Sequence, residues 1–141
     1  MEREVIIAST EENGAVLENG EVINLPIKKA NTIAQTYLEN ISSDDLYEAE
    51  AALKDLNALV QRVIQQPVKA GDADDWHNFA VDIARKDLYD LACDLLECGL
   101  SIYPKNIDLL ADYLQYGTSC GRIENCKSFY KILSKIPKIR W

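Results

Sequence analysis

Apolar side chains open the chain in short runs, and after residue 26 they recur at every third or fourth position instead. "EVII", "GAVL" and "EVINL" are rich in Val, Ile and Leu and are separated by Asn13-Gly14 and Asn19-Gly20. Asn-Gly tolerates positive φ at both centres of a two-residue hairpin. The pattern therefore predicts a small three-stranded β-meander over residues 1–26. A sheet this small cannot stand alone, so it is expected to pack on the helices that follow.

Pro26 suits a helix start, because it has no N–H to leave unpaired there. Ala30, Ile33, Ala34, Tyr37, Leu38 and Ile41 then share one apolar face, which predicts a first helix over about 27–40. Ser42 and Ser43 break it and offer a hydroxyl cap to the next helix, with Asp44 and Asp45 favourable in its first turn. That second helix, about 44–65, carries Leu46, Ala49, Leu53, Leu56, Val60 and Val63 in alternating steps of three and four. Such a heptad seam fits either the core of an antiparallel hairpin over 27–66 or the seam of a coiled-coil homodimer. "QQPVKAGDAD" ends the helix at Pro67 and turns the chain through Gly71.

From Trp76 onward the periodicity acquires landmarks. Phe79, Ala80 and Ile83 follow at offsets of three, four and seven, Ala92 at sixteen, Leu96 at twenty and Pro104 at twenty-eight. This spacing resembles the tetratricopeptide repeat, a 34-residue pair of helices with the pattern W-x2-L-G-x2-Y, then A-x3-F, then P. Trp76, Ala92 and Pro104 match outright, and the others are replaced by similar or small residues. The resemblance makes Trp76 and Phe79 large knobs on the first helix. It also makes Ala80 and Ala92 the small residues where two helices cross, and Pro104 the stop after the second helix.

Advancing by one repeat places Leu110, Tyr113, Leu114, Cys126 and Tyr130 at the positions of Trp76, Phe79, Ala80, Ala92 and Leu96, with Pro137 one residue short of the Pro104 place. In "CGRIENCKSFYKIL", Gly121 supplies the tight joint and Cys126 the small residue; Gly117 stands where an aromatic ring is expected. Moving back by one repeat fails, since Trp76 falls on Ser42. The resemblance thus covers residues 73–138. The expected fold is mainly α: a tetratricopeptide-like α-α superhelix, two repeats over 73–141, capped on one side by the helical hairpin 27–66 and preceded by the β-meander 1–26. Trp141 stands where a third unit would begin, which suits either a longer array or a terminal ring that folds back as a cap.

Composition adjusts this picture in a few places. With 141 residues, 48% apolar and 27% charged, the chain has a globular composition and no apolar run long enough to span a membrane. No basic leader precedes an apolar stretch at the N-terminus. The four cysteines, at 93, 98, 120 and 126, are read as buried thiols of a reducing, cytoplasmic setting. Net charges of −5, −2, −5 and +4 over residues 1–26, 27–66, 67–100 and 101–141 total −8. This balance disfavours nucleic acid and anionic membrane as partners. It also gives the chain an acidic middle and a basic end that could attract each other between molecules.

Candidate chemistry is sparse. The cysteines are spaced five, twenty-two and six apart, unlike structural zinc ligands, and one His is too few, so neither metal nor cofactor is expected. His77 with Asp74 or Asp75 could serve as an oriented base. No nucleophile accompanies it, and Asp there is better read as a helix cap. No phosphate loop or nucleophile elbow occurs either, so no enzyme activity is expected. Lys127, Lys131, Lys135 and Lys138 form a stripe on the last helix, either a solvated face or a secondary docking strip for an acidic surface.

Tetratricopeptide arrays mostly act as scaffolds whose first helices line a groove for a peptide or helix of a partner. By resemblance, that groove would be lined by Asp74, His77, Asn78, Val81 and Arg85, and by Asp108, Ala111, Asp112, Gln115 and Ser119. The subgroup that clamps a C-terminal carboxylate uses Lys and Asn at such places, where this chain has His77 and Val81. The implied partner is therefore a protein or peptide of basic or amide character. The alternative is a regulatory or sensing N-terminal region of a larger protein. The 46–63 seam and the open repeat end are the two places where a second copy could pair.

Overall fold

Helix-period patterning dominates the computed structural model, which describes residues 24–66 and 69–137. Among the described residues there are six α-helices and no strand. The expected β-meander lies outside the described residues apart from Asn24, Leu25 and Pro26. Lys138 and Trp141 lie outside them too. Between Asp75 and Trp76 the chain divides into two compact units.

In the first unit, α1 (Ile27–Ile41) and α2 (Leu46–Gln65) pack as an antiparallel hairpin. Its open end is closed by polar contacts. The Leu25 N–H donates to Gln66 Oε1 at 2.8 Å, and Gln66 Nε2 donates back to the Leu25 carbonyl at 2.7 Å. Gln66 is 5% exposed, so this reciprocal pairing satisfies an amide that would be costly to bury alone. The Ile27 N–H donates to the Ala70 carbonyl at 2.8 Å, drawing the following loop against the start of α1.

Two expectations for this unit need correction. Asp45, and neither Ser42 nor Ser43, caps α2, accepting from the Tyr47 and Glu48 N–H groups. A carboxylate there adds charge attraction to the helix N-terminus. Ser43 instead donates to Glu48 Oε1 at 2.5 Å and accepts from the Asp45 N–H. The second correction concerns the heptad seam. Leu56, Val60 and Val63 are buried, but Leu46 is 80% exposed and Leu53 41%, while Ala52 and Leu59 are buried in their place. Apolar residues occupy two overlapping stripes on α2, and α1, through Ile27, Ala30, Ala34 and Leu38, covers only one of them.

The second unit holds α3 (Ala73–Ala84, whose first turn carries the boundary), α4 (Tyr89–Ile102), α5 (Ile107–Ser119) and α6 (Ile123–Lys135). A capping box starts α3: Asp72 Oδ1 accepts from the Asp75 N–H at 3.0 Å, and Asp75 Oδ2 accepts from the Asp72 N–H at 3.1 Å. The cap is thus Asp72, two residues ahead of Asp74 and three ahead of Asp75, where it was expected. Asn106 caps α5 through the Leu109 N–H. Beyond α4, the chain turns at Pro104, as its missing donor requires.

Trp76, Phe79, Ala80 and Ile83 are fully buried, as are Ala92, Leu95 and Leu96. Where α3 meets α4, the small residue under the indole is Gly99: a Cβ there would lie 3.2 Å from Trp76 Cγ and Cδ2. Helix α4 packs on α5, and α5 on α6. A similar close approach recurs at Gly117, where a Cβ would stand 2.7 Å from Cys126 Sγ and 3.1 Å from the Tyr113 ring. An aromatic ring at 117, as a strict repeat demands, would therefore not fit. Gly121 turns the joint between α5 and α6 at φ +85°, a conformation costly for residues with a Cβ. Tyr130, expected at the buried Leu96 place, is 60% exposed because α6 is the last helix of the described stack.

Candidate functional site

Residues expected to line a groove sit on α3 and α5, and one contact joins the two rows. His77 Nδ1 on α3 bonds Asp112 Oδ2 on α5. Asp112 is 9% exposed, which corrects its expected place as an accessible acidic lining residue. Burial pushes its carboxyl above the ordinary 3.8, with Asp108 adding to the effect and the hydrogen bond from His77 opposing it. His77 and Val81 are half-buried, while Asp74, Asn78 and Arg85 are exposed on α3. Arg85 bonds Asp82 at 3.1 Å on its own helix. On α5, Asp108, Gln115 and Ser119 are exposed, and Ser119 Oγ donates to the Gln115 carbonyl.

Ala111 belongs with another feature. It and Ile107 line an open hollow of about 350 Å³ that is completed by Tyr130, Leu133, Ile136 and Pro137 around the end of α6. The lysines of α6, Lys127, Lys131 and Lys135, are all exposed. Lys127 reaches Glu124 at 3.4 Å in a solvated pair, which contributes little to stability.

The strongest polar cluster in this unit was not anticipated from the sequence. Arg122, at the α5–α6 joint, donates to Asp94 and Glu97 on α4 at 2.8 Å each and to Asp90 at 3.4 Å. Glu97 also accepts from the Tyr113 hydroxyl at 2.5 Å and from Asn125 at 3.2 Å, and Asn125 donates to the Tyr113 oxygen at 3.0 Å. The cluster thereby ties α4, α5 and α6 together. Desolvation alone would lower the guanidinium pKa, but the bonds to Asp94 and Glu97 outweigh it and raise the value. Burial and the Glu97 bond push the Tyr113 phenol up. Its signal in the sequence was Asp90, Asp94 and Glu97 at steps of four and three, a one-sided acidic row needing a cation. The cation's place in a turn thirty-two residues beyond Asp90 was not readable from helix periodicity.

The four cysteines are thiols, with no disulfide between them. The Cys93 and Cys120 sulfurs lie 3.9 Å apart, and burial, then proximity to Cys120, pushes the Cys93 thiol up. Among the described residues, no three His, Cys, Asp or Glu side chains are grouped to hold a metal ion, and no helix is long and apolar enough to cross a membrane. Comparison with known protein families, with curated proteins and with solved structures finds no match to this chain.

Proposed function

We propose that this chain is a non-catalytic protein-interaction module built on tetratricopeptide-like helix pairs. Its ligand, in this reading, is a basic peptide or helix of a partner, held across α3 and α5. The observation that supports the reading is the His77–Asp112 bond, which joins α3 to α5, the helices that would be equivalent in successive pairs. Exposed Asp74, Asn78, Asp108 and Gln115 then offer carboxylate and amide acceptors along those two helices. Such groups suit Lys or Arg side chains and extended backbone donors. Buried Asp112 acts in this scheme as the rivet between the helices, leaving direct contact to Asp74 and Asp108.

Affinity capture with the whole chain, read by mass spectrometry, tests this directly. Asp74→Lys with Asp108→Lys alters only exposed positions, so the fold should be retained. Loss of the proteins captured by the unaltered chain is the expected result. Undiminished capture by the folded double variant would remove α3 and α5 as the binding face.

A further inference from the structure

Two of the thiols form a pair that a peptide-binding face on α3 and α5 does not use. Cys93 lies inside α4 and is fully buried. Cys120 closes the C-terminus of α5, half-buried, one residue before the turn at Gly121. Their sulfurs are 3.9 Å apart, although twenty-seven positions separate them along the chain. A disulfide holds its sulfurs at about 2.05 Å, so the two are neighbours that one short approach would join. Cys126 is placed differently. Its sulfur meets oxygens, the Tyr113 carbonyl at 3.8 Å, the Leu114 carbonyl at 4.0 Å and the Thr118 hydroxyl at 3.9 Å.

We propose that Cys93 and Cys120 are a reversible disulfide site, closed by hydrogen peroxide and opened by small thiols. Cys120 reacts first, because it is the member that solvent reaches. Its sulfur, as thiolate, attacks one peroxide oxygen: an S–O bond forms and the O–O bond breaks. The departing hydroxide takes up the proton that the thiol gave to solvent, and leaves as water. Cys120 now carries a sulfenic acid. The Cys93 sulfur then attacks the Cys120 sulfur, forming the S–S bond as the S–O bond breaks, and hydroxide leaves with the Cys93 proton as a second water. Each sulfur gives up one electron overall, and the peroxide accepts two. Burial, then proximity to Cys120, pushes the Cys93 thiol up, while Arg122 opposes. Such a thiol is a slow partner for an oxidant in solution, but toward a sulfur it already adjoins the step is intramolecular, and proximity offsets the loss. The finished bond ties α4 to the end of α5 and closes a long loop in the unfolded chain, which favours the folded one. This site stands whether or not α3 and α5 hold a peptide.

Treating the whole folded chain with a small excess of hydrogen peroxide, blocking the remaining thiols and mapping the unreduced peptides by mass spectrometry tests the site. A Cys93–Cys120 link within one chain is expected, and dithiothreitol should reverse it. Oxidation should raise the thermal midpoint by roughly 5–10 °C, the gain from a loop-closing bridge in a chain of this size. Cys120→Ser alters a half-buried position and should show neither link nor shift. Cys93→Ala should leave Cys120 as the sulfenic acid, which dimedone traps. The link in the unaltered chain decides the pairing even where Cys93→Ala fails to fold. A chain that stays fully reduced overturns the proposal, as does one that links through Cys98 or Cys126 or to a second copy. An oxidised chain that melts no higher than the reduced one overturns it as well.

Discussion

Gly117 and Cys126 offer the sharpest test of how the last two helices fit. Replacing Gly117 by Ala relieves the backbone of a poor helix former, a gain of about 0.8–1 kcal/mol in a helix interior. The new methyl, however, would stand 2.7 Å from Cys126 Sγ and 3.1–3.3 Å from the Tyr113 ring. That ring cannot swing aside freely, since its hydroxyl is held by Glu97 and Asn125. Overpacking of this kind costs roughly 1–3 kcal/mol, so Gly117→Ala should destabilise by about 0–2 kcal/mol net. Cys126→Ala alone removes one buried heavy atom and should cost about 1 kcal/mol. In the double variant the sulfur contact is gone while the helix gain remains. The two changes should therefore couple favourably by about 1–2 kcal/mol, well outside the additivity of independent sites. Urea unfolding of the four proteins, followed by far-ultraviolet circular dichroism, measures the coupling if the slope with denaturant is unchanged. Additive effects to within about 0.5 kcal/mol would refute the close approach.

Arg122→Gln should destabilise by roughly 2–3 kcal/mol, from two short charge-assisted bonds discounted for solvent plus the repulsion left among Asp90, Asp94 and Glu97. Added sodium chloride should narrow its gap to the unaltered chain in urea melts. Asp112→Asn should flatten part of the pH dependence. With the folded carboxyl raised above 3.8, its stabilising share is fully present below the unfolded value and is lost as pH rises through the folded value. Stability of the unaltered chain relative to the variant should thus fall upward from about pH 4, as thermal melts across the acid range will read. Thiol labelling should distinguish half-buried Cys98 and Cys120, which react in the folded chain, from buried Cys93 and Cys126, which react only as it unfolds. Peptide mapping after timed alkylation identifies them, and early labelling of Cys93 would contradict its burial.

Helix positions were largely legible in the sequence because apolar residues at three- and four-residue steps, with Pro104 and Gly121 between them, leave few other readings. Trp76, Phe79, Ala80, Ile83, Ala92 and Leu96 all proved to be buried. Which stripe of α2 turns inward was not legible. Alanines and leucines lie on both edges of that helix, and only its packing against α1 chooses between them. Of the candidate groove, the two helices were readable but the depth of Asp112 was not. A carboxylate at a lining position looks alike in sequence whether it faces water or a histidine. Gly99 was overlooked beside the alanines for a related reason: periodicity names the residues that fill space and is silent about the one that leaves room.

The joint that ends in Arg122 has a bearing on which changes in chain length this fold accepts. One guanidinium reaches back to three carboxylates, so the bend works as a ruler as well as a turn. An extra residue between Gly121 and Arg122 would leave every helix able to form, yet would carry the cation out of reach of its anions. Natural length variation in such a chain should accordingly collect in other connections and spare this one.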